Sequence, residues 1–190
     1  VNVVATMDSR IVATGTGVHG NVNISVVTET VVAAVPIAIL LGVAVAITDI
    51  EQNVVIESKL QVAGDFGATS MVDASSTTHI ANTGLGPAAV SIGVNQVHIT
   101  NDLLVTPQVD STVGGDLRAT GHTIERIYSN ISSTVPAKKR GAIALAIEEG
   151  ENTTTSRVAS AGLNVSGNLI VEASSHKLGV NVKRLYYLPV

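Results

Sequence analysis

The chain has 190 residues, of which 45% are hydrophobic but only 2% aromatic, so its interior must be filled by Val, Ile, Leu and Ala. Lys and Arg number 11 against 15 Asp and Glu, a formal net charge of -4; with no face-long basic run, the balance excludes a nucleic-acid partner of the usual kind. There is no cysteine, which excludes disulfide frameworks, thiolate zinc sites and cysteine nucleophiles.

The opening "VNVVATMDSRIVATG" lacks an initiator Met, a basic n-region and an apolar h-region, so it does not read as a signal peptide. The chain begins and ends inside apolar text, and "VNVVATMD" reads as the tail of an earlier copy of a repeat. A processed product or a segment of something longer is therefore expected.

Next comes "VVAAVPIAILLGVAVAI", Val31 to Ile47, seventeen residues without a charge. It falls just short of the ~20 residues of a spanning helix, contains Pro36 and Gly42, and is rich in Val and Ile. Later copies of the same run are shorter still. A buried parallel strand is expected here, with no membrane insertion.

The repeat is carried by the pattern Val-x-Gly-(Asp/Asn)-apolar. It occurs as "VHGNV" at Val18, "VAGDF" at Val62, "VGGDL" at Val113 and "VSGNL" at Val165. The glycines Gly20, Gly64, Gly115 and Gly167 are 44, 51 and 52 residues apart. Pro36, Pro87, Pro136 and Pro189 recur in parallel, at steps of 51, 49 and 53 residues. After the first three prolines come small-residue runs, "IAILLGVAVAI", "AAVSIGV" and "GAIALAI". Each run leads into a polar segment, "TDIEQN", "NQVHITN" or "EEGEN", which reads as a kink.

Around the glycine motif apolar residues alternate with polar ones, as in Val18, Val22, Ile24 and Val26, or Leu163, Val165, Leu169 and Val171. Period-two alternation with β-branched residues predicts strands, and Gly-(Asp/Asn) between them predicts a tight corner that tolerates positive φ. Strands recurring every ~50 residues without helical text predict an all-β solenoid whose layers stack at the ~4.8 Å spacing of paired strands. Fifty residues is long for one coil. Two coils per copy are expected, about eight in all, in a rod on the order of 40 Å.

Two stretches, "GVAVAITDIEQNVVIESKLQVAGDFGATSMVDASS" and "GAIALAIEEGENTTTSRVASAGLNVSGNLIVEASS", resemble the repeats of very large bacterial surface adhesins of the filamentous-haemagglutinin type, including giant autotransporter passengers. The resemblance covers nearly the whole chain. It implies a right-handed parallel β-helix of about four ~50-residue repeats, forming one segment over 1–190, exported without disulfides and acting as a stalk or adhesive rod. It supplies no catalytic residue. The chain departs from the pattern at "HTIERIYSNISSTVPAKKR", His122 to Arg140, and at the terminal "VKRLYYLPV", so its own character is expected in those two regions.

Candidate chemistry is sparse. The histidines His19, His79, His98, His122 and His176 fall near expected corners or polar loops without metal-ligand spacing. His122 and Glu125 could meet in a turn, but no nucleophile accompanies them. A polysaccharide-cleaving β-helix would need carboxylates converging on one face. Asp65 and Asp116 are instead explained as corner residues, and "EEGE" at Glu148–Glu151 as a solvated turn. "KKR" at Lys138–Arg140 reads as a loop. The sequons at Asn23, Asn130, Asn152 and Asn164 carry a weak suggestion of glycosylation.

The sequence thus predicts no catalytic, cofactor-binding or metal residue. It predicts an extracellular, non-enzymatic segment whose partners are host or environmental glycans or surfaces, or further copies end to end. A self-assembling fibre subunit and a carbohydrate-active β-helix enzyme stand as the alternatives.

Overall fold

The computed structural model describes residues 2–13, 20–35, 37–38, 41–83, 88–134 and 141–178. Among them are twelve strands and no helix. These are β1 (Asn2–Ala13), β2 (Val22–Ala34), β3 (Ile37–Ala38), β4 (Leu41–Ile56), β5 (Gln61–Val62), β6 (Phe66–Thr83), β7 (Ala88–Val105), β8 (Ser111–Val113), β9 (Leu117–Thr134), β10 (Gly141–Val158), β11 (Leu163–Val165) and β12 (Leu169–Leu178). The strands form three sheets: sheet 1 in the order β1-β4-β7-β10, sheet 2 in the order β11-β8-β5, and sheet 3 in the order β12-β9-β6-β2 with β3 also on β6. Their pairings are parallel.

The pairing register reproduces the sequence repeat. In sheet 3, Val22 pairs with Phe66, Phe66 with Leu117 and Leu117 with Leu169, which are the steps of 44, 51 and 52 residues between the motif glycines. In sheet 1, Val45 pairs with Val94, and Val94 with Ile147. Each copy therefore contributes one rung to a sheet, not the two expected. The reason is strand length. The polar segments read as kinks stay extended within β4, β7 and β10, so strands of up to 18 residues absorb the whole copy. Four rungs span roughly 15 Å rather than 40 Å.

Sheets 1 and 3 pack on each other through alternate residues. From β4, Ala44, Ala46, Ile50, Gln52 and Val54 point inward; from β6, Phe66, Ala68, Ser70, Val72 and Ala74 do. One apolar cluster joins Val54, Phe66, Leu103 and Leu117 to Leu60, Val62 and Val113 beside them. Phe66 is 1% exposed, and burial of such a side chain contributes about 2–3 kcal/mol. A second cluster sets Ala44 and Ala46 of sheet 1 against Val32, Ile80 and Ile131 of sheet 3. Small residues on one sheet receive large ones from the other, and a methyl group on Gly93 would overlap the Ile131 side chain.

The uncharged run from Val31 to Ile47 is thereby explained, apart from Pro36, Ile39 and Leu40, which lie outside the described residues. It ends β2, supplies β3 and starts β4. Val32, Ala34, Ala44 and Ala46 are buried, whereas Val31, Val35 and Leu41 face outward. No helix of the described residues is long and apolar enough to cross a membrane.

Between the apolar clusters lie buried polar layers that bond across the two sheets. Gln52 Nε2 donates to Ser70 Oγ at 2.7 Å, and Ser70 Oγ donates to Asn101 Oδ1. The Asn101 amide donates to the backbone oxygen of His122 at 2.9 Å and to Thr123 Oγ1 at 3.2 Å, and Thr154 adds a hydroxyl to Thr123. Nearer the other end, Asn95 bonds Ser76 and the backbone oxygen of Tyr128. Each Asn meets several partners, as buried amides must.

The motif corner has a different cause from the one its glycine suggests. Of the four motif glycines only Gly20 has a left-handed φ, at 116°. At the other three, glycine is required for room. Asn21 Oδ1 accepts the backbone N–H of Asp65, Asp65 Oδ1 that of Asp116, and Asp116 Oδ1 that of Asn168. Each of these oxygens occupies the space that a Cβ on the next copy's Gly64, Gly115 or Gly167 would fill. Glycine and Asp/Asn are thus two halves of one contact, made between successive copies.

Candidate functional site

The two outer faces hold the groups available to a partner. On sheet 1 the outward residues change character along the strands. Leu41, Val90 and Ile143 stand in one column, followed by Ile92 with Leu145 and then Val94 with Ile147. Farther along, the face becomes polar. Asp49, His98 and Glu151 share a column, with His98 Nδ1 3.6 Å from Glu151 Oε2, and Gln96 Nε2 donates to Glu149 Oε2 at 2.9 Å. An open depression runs between these side chains. Beyond it Thr155 donates to Asp102.

The segment "EEGE" is therefore strand, not a turn. Glu149 and Glu151 are exposed on this face, whereas Glu148 points the other way and both its carboxylate oxygens are buried. Alternation fixes this outcome, since adjacent residues of a strand face opposite sides.

Sheet 3 presents a mixed face. Arg126 Nη1 bonds Asp73 Oδ1 across one rung, both side chains being partly exposed. Tyr128 stands two residues along at 36% exposure. His122 Nδ1 lies 2.7 Å from Ser174 Oγ, and its ring meets that of His176 edge to face, with centroids 5.5 Å apart.

The histidines lie on strands rather than in the expected loops: His79 in β6, His98 in β7, His122 in β9 and His176 in β12; His19 lies outside the described residues. His122 and Glu125 do not come together. Three residues apart on one strand, they face opposite sides, His122 outward and Glu125 fully buried. Among the described residues no three His, Asp or Glu are grouped as metal ligands would be.

Glu125 instead joins a polar cluster inside the sheets. Asn152 Nδ2 donates to its Oε2, and Lys177 Nζ is 3.4 Å from its Oε1. Asn152 in turn accepts from Ser175, so this sequon's amide is committed to the interior, while Asn23, Asn130 and Asn164 are exposed. The corner carboxylates Asp65 and Asp116 are occupied by the backbone bonds described above.

Sequence reasoning missed the contacts between copies: Arg126 with Asp73, His122 with Ser174 and His176, Glu125 with Lys177. The signal was present. Adding the 52-residue step between Gly115 and Gly167 to His122 gives Ser174, and counting by twos inward from Leu117 reaches Glu125. Of the two regions expected to be distinctive, residues 122–134 are regular strand in β9, whereas 135–140, with Lys138–Arg140, and the terminal "VKRLYYLPV" lie outside the described residues.

No family model, curated protein or solved structure matches this chain.

Proposed function

We propose that the chain is a segment of an extracellular, non-enzymatic right-handed β-solenoid, about four ~50-residue repeats long, serving as a stalk or surface-binding rod of a bacterial surface adhesin. The observation that carries this reading is the coincidence of repeat and register: each copy of the Gly-(Asp/Asn) motif bonds its counterpart in the next. Such a sequence is selected for stacking, and its polar groups are spent on stacking too. Asp65, Asp116, Asn101 and Glu125 all hold neighbouring layers together, which leaves few groups for catalysis. The resemblance of the repeats to filamentous-haemagglutinin-type adhesins and the lack of cysteine fit export to the cell surface.

For the adhesive role the face of sheet 3 around Arg126, Asp73 and Tyr128 is the better candidate, since sugars are held by planar charged groups and an aromatic ring. Binding of the chain to immobilised glycans is expected to weaken on Tyr128→Ala and on Arg126→Ala. Binding unchanged in both variants places adhesion elsewhere; no glycan binding at all assigns the segment to the stalk. Turnover of a polysaccharide would favour a carbohydrate-active enzyme and contradict the reading.

A second reading, an end-to-end fibre subunit, draws on the outermost strands β10 and β12. Each has a sheet neighbour on one side only among the described residues, and a free strand edge templates further pairing. Filaments that lengthen with concentration under the electron microscope are its expected signature.

A further inference from the structure

β10 and β12 are the outermost strands of sheets 1 and 3, each with a sheet neighbour on one side only among the described residues, and strands so placed open first. Between them lies the Glu125 cluster. Lys177 Nζ of β12 is 3.4 Å from Glu125 Oε1 and donates to the backbone oxygen of Gly150 at 3.2 Å. Asn152 Nδ2 of β10 donates to the other carboxylate oxygen, Oε2. One fully buried carboxylate thus holds an amine and a carboxamide at once. Ser175 Oγ donates to Asn152 Oδ1. A Cβ on Gly150 would overlap both Glu125 Oε1 and Lys177 Nζ, so this glycine leaves room for the meeting. An ion pair alone requires neither the carboxamide nor the hydroxyl on its oxygen.

We propose that Lys177 and Asn152 become joined by an amide bond between their side chains, with Glu125 as the proton carrier. Glu125 takes a proton from Nζ, and the freed lone pair attacks Cγ of Asn152. The N–C bond forms while the carbonyl electrons move onto Oδ1, where the Ser175 hydroxyl stabilises them. The proton held by Glu125 and a second one from Nζ then pass to Nδ2, the Cγ–Nδ2 bond breaks, and that nitrogen leaves as ammonium. Nζ loses two protons and Nδ2 gains two, so atoms and charge balance, and neither oxidant nor reductant takes part. Holding both reactants on one carboxylate supplies the proximity that such an exchange requires. An ammonium group has no lone pair, so closure waits on the proton transfer and follows folding; until then the cluster is the ion pair seen in the structure.

The bond ties the outer edge of sheet 1 to that of sheet 3. It gives a chain without cysteine a covalent brace at its last described rung, one that thiols do not reduce as they do a disulfide. The inference does not depend on the adhesive reading.

Intact-mass spectrometry of the whole chain tests it, on freshly folded protein and after overnight incubation at mildly alkaline pH, which favours the free amine of a lysine. The expected result is a mass that falls below that of the sequence by one ammonia. Trypsin then releases residues 141–157 and 158–183 as one joined peptide, cleavage after Lys177 being blocked. Lys177→Met and Glu125→Gln keep the full mass under the same treatment, with the circular dichroism of the parent. Glu148→Gln, at the other titratable side chain on the inward faces of β9, β10 and β12, leaves closure intact. A folded parent chain that keeps its full mass overturns the proposal. Ammonia lost to the same extent in Lys177→Met overturns it in favour of an asparagine closing on its own backbone. Closure undiminished in Glu125→Gln overturns the part given to Glu125.

Discussion

Asp65 Oδ1 accepts the backbone N–H of Asp116 at 2.9 Å, joining residues 51 positions apart and standing where a side chain on Gly115 would have to go. Asn21 and Asp116 make the same bond with their own successors. The contact turns a sequence repeat into a stacking rule, because it is made only when copies lie one above another in register.

Gly115→Ala is therefore expected to destabilise by about 1–3 kcal/mol through overpacking. Asp65→Asn keeps an accepting oxygen, so it should stay within about 0.5 kcal/mol of the parent. Asp65→Ala loses the bond and should cost about 0.5–1.5 kcal/mol. Urea unfolding midpoints check the order; equal stability of Gly115→Ala and the parent would refute the steric account.

Asn101 ties Ser70 of β6 to the His122 backbone and Thr123 of β9 inside the core. Asn101→Ala removes all of these bonds from a buried layer and empties the space of its amide, although Ser70 keeps Gln52 and Thr123 keeps Thr154. A loss of about 2–3 kcal/mol is expected, whereas Asn130→Ala on the exposed face should change stability by less than about 0.5 kcal/mol. Thermal melts of the two variants side by side provide the comparison.

Glu125 is fully buried, and Asn152 and Lys177 are its partners. In Glu125→Gln the amide oxygen still accepts from Asn152 while a buried charge disappears, so stability should hold or rise. Lys177→Met strands the carboxylate and should cost about 1–2 kcal/mol, less than for a fully buried pair because Lys177 is itself partly exposed. The double variant should recover most of that loss. A double-mutant cycle in urea measures the coupling, and additive effects would remove the pair from the account.

Much of this architecture is legible in the sequence. Val-x-Gly-(Asp/Asn) gives the period, alternation around it gives strands, and the period gives the cross-copy partners. Two misreadings have physical causes. "TDIEQN" suggests a kink because polar text usually marks a loop, yet Thr48 and Gln52 are buried and Gln52 bonds Ser70; polar layers between two packed sheets erase that cue. Gly-(Asp/Asn) suggests a positive φ, whereas at Gly115 the constraint is a neighbour's side chain, which no local pattern reveals. The candidate surfaces were less legible still, because Arg126–Asp73 and His122–His176 exist only once copies are superposed.

The central claim is that each ~50-residue copy forms one rung. A cysteine pair tests it cleanly, since the chain has no native cysteine. Thr69 and Thr120 are register partners on the outer face of sheet 3, at the separation of adjacent strands, about 4.8 Å, which a disulfide can span. Thr69→Cys with Thr120→Cys is expected to close an intramolecular disulfide under mild oxidation, whereas Thr69→Cys with Ile124→Cys, displaced four residues along the strand, is not. If each copy made two coils, Thr69 and Thr120 would lie two rungs apart, at roughly 9.6 Å; failure of the first pair to close in a folded chain would contradict the account.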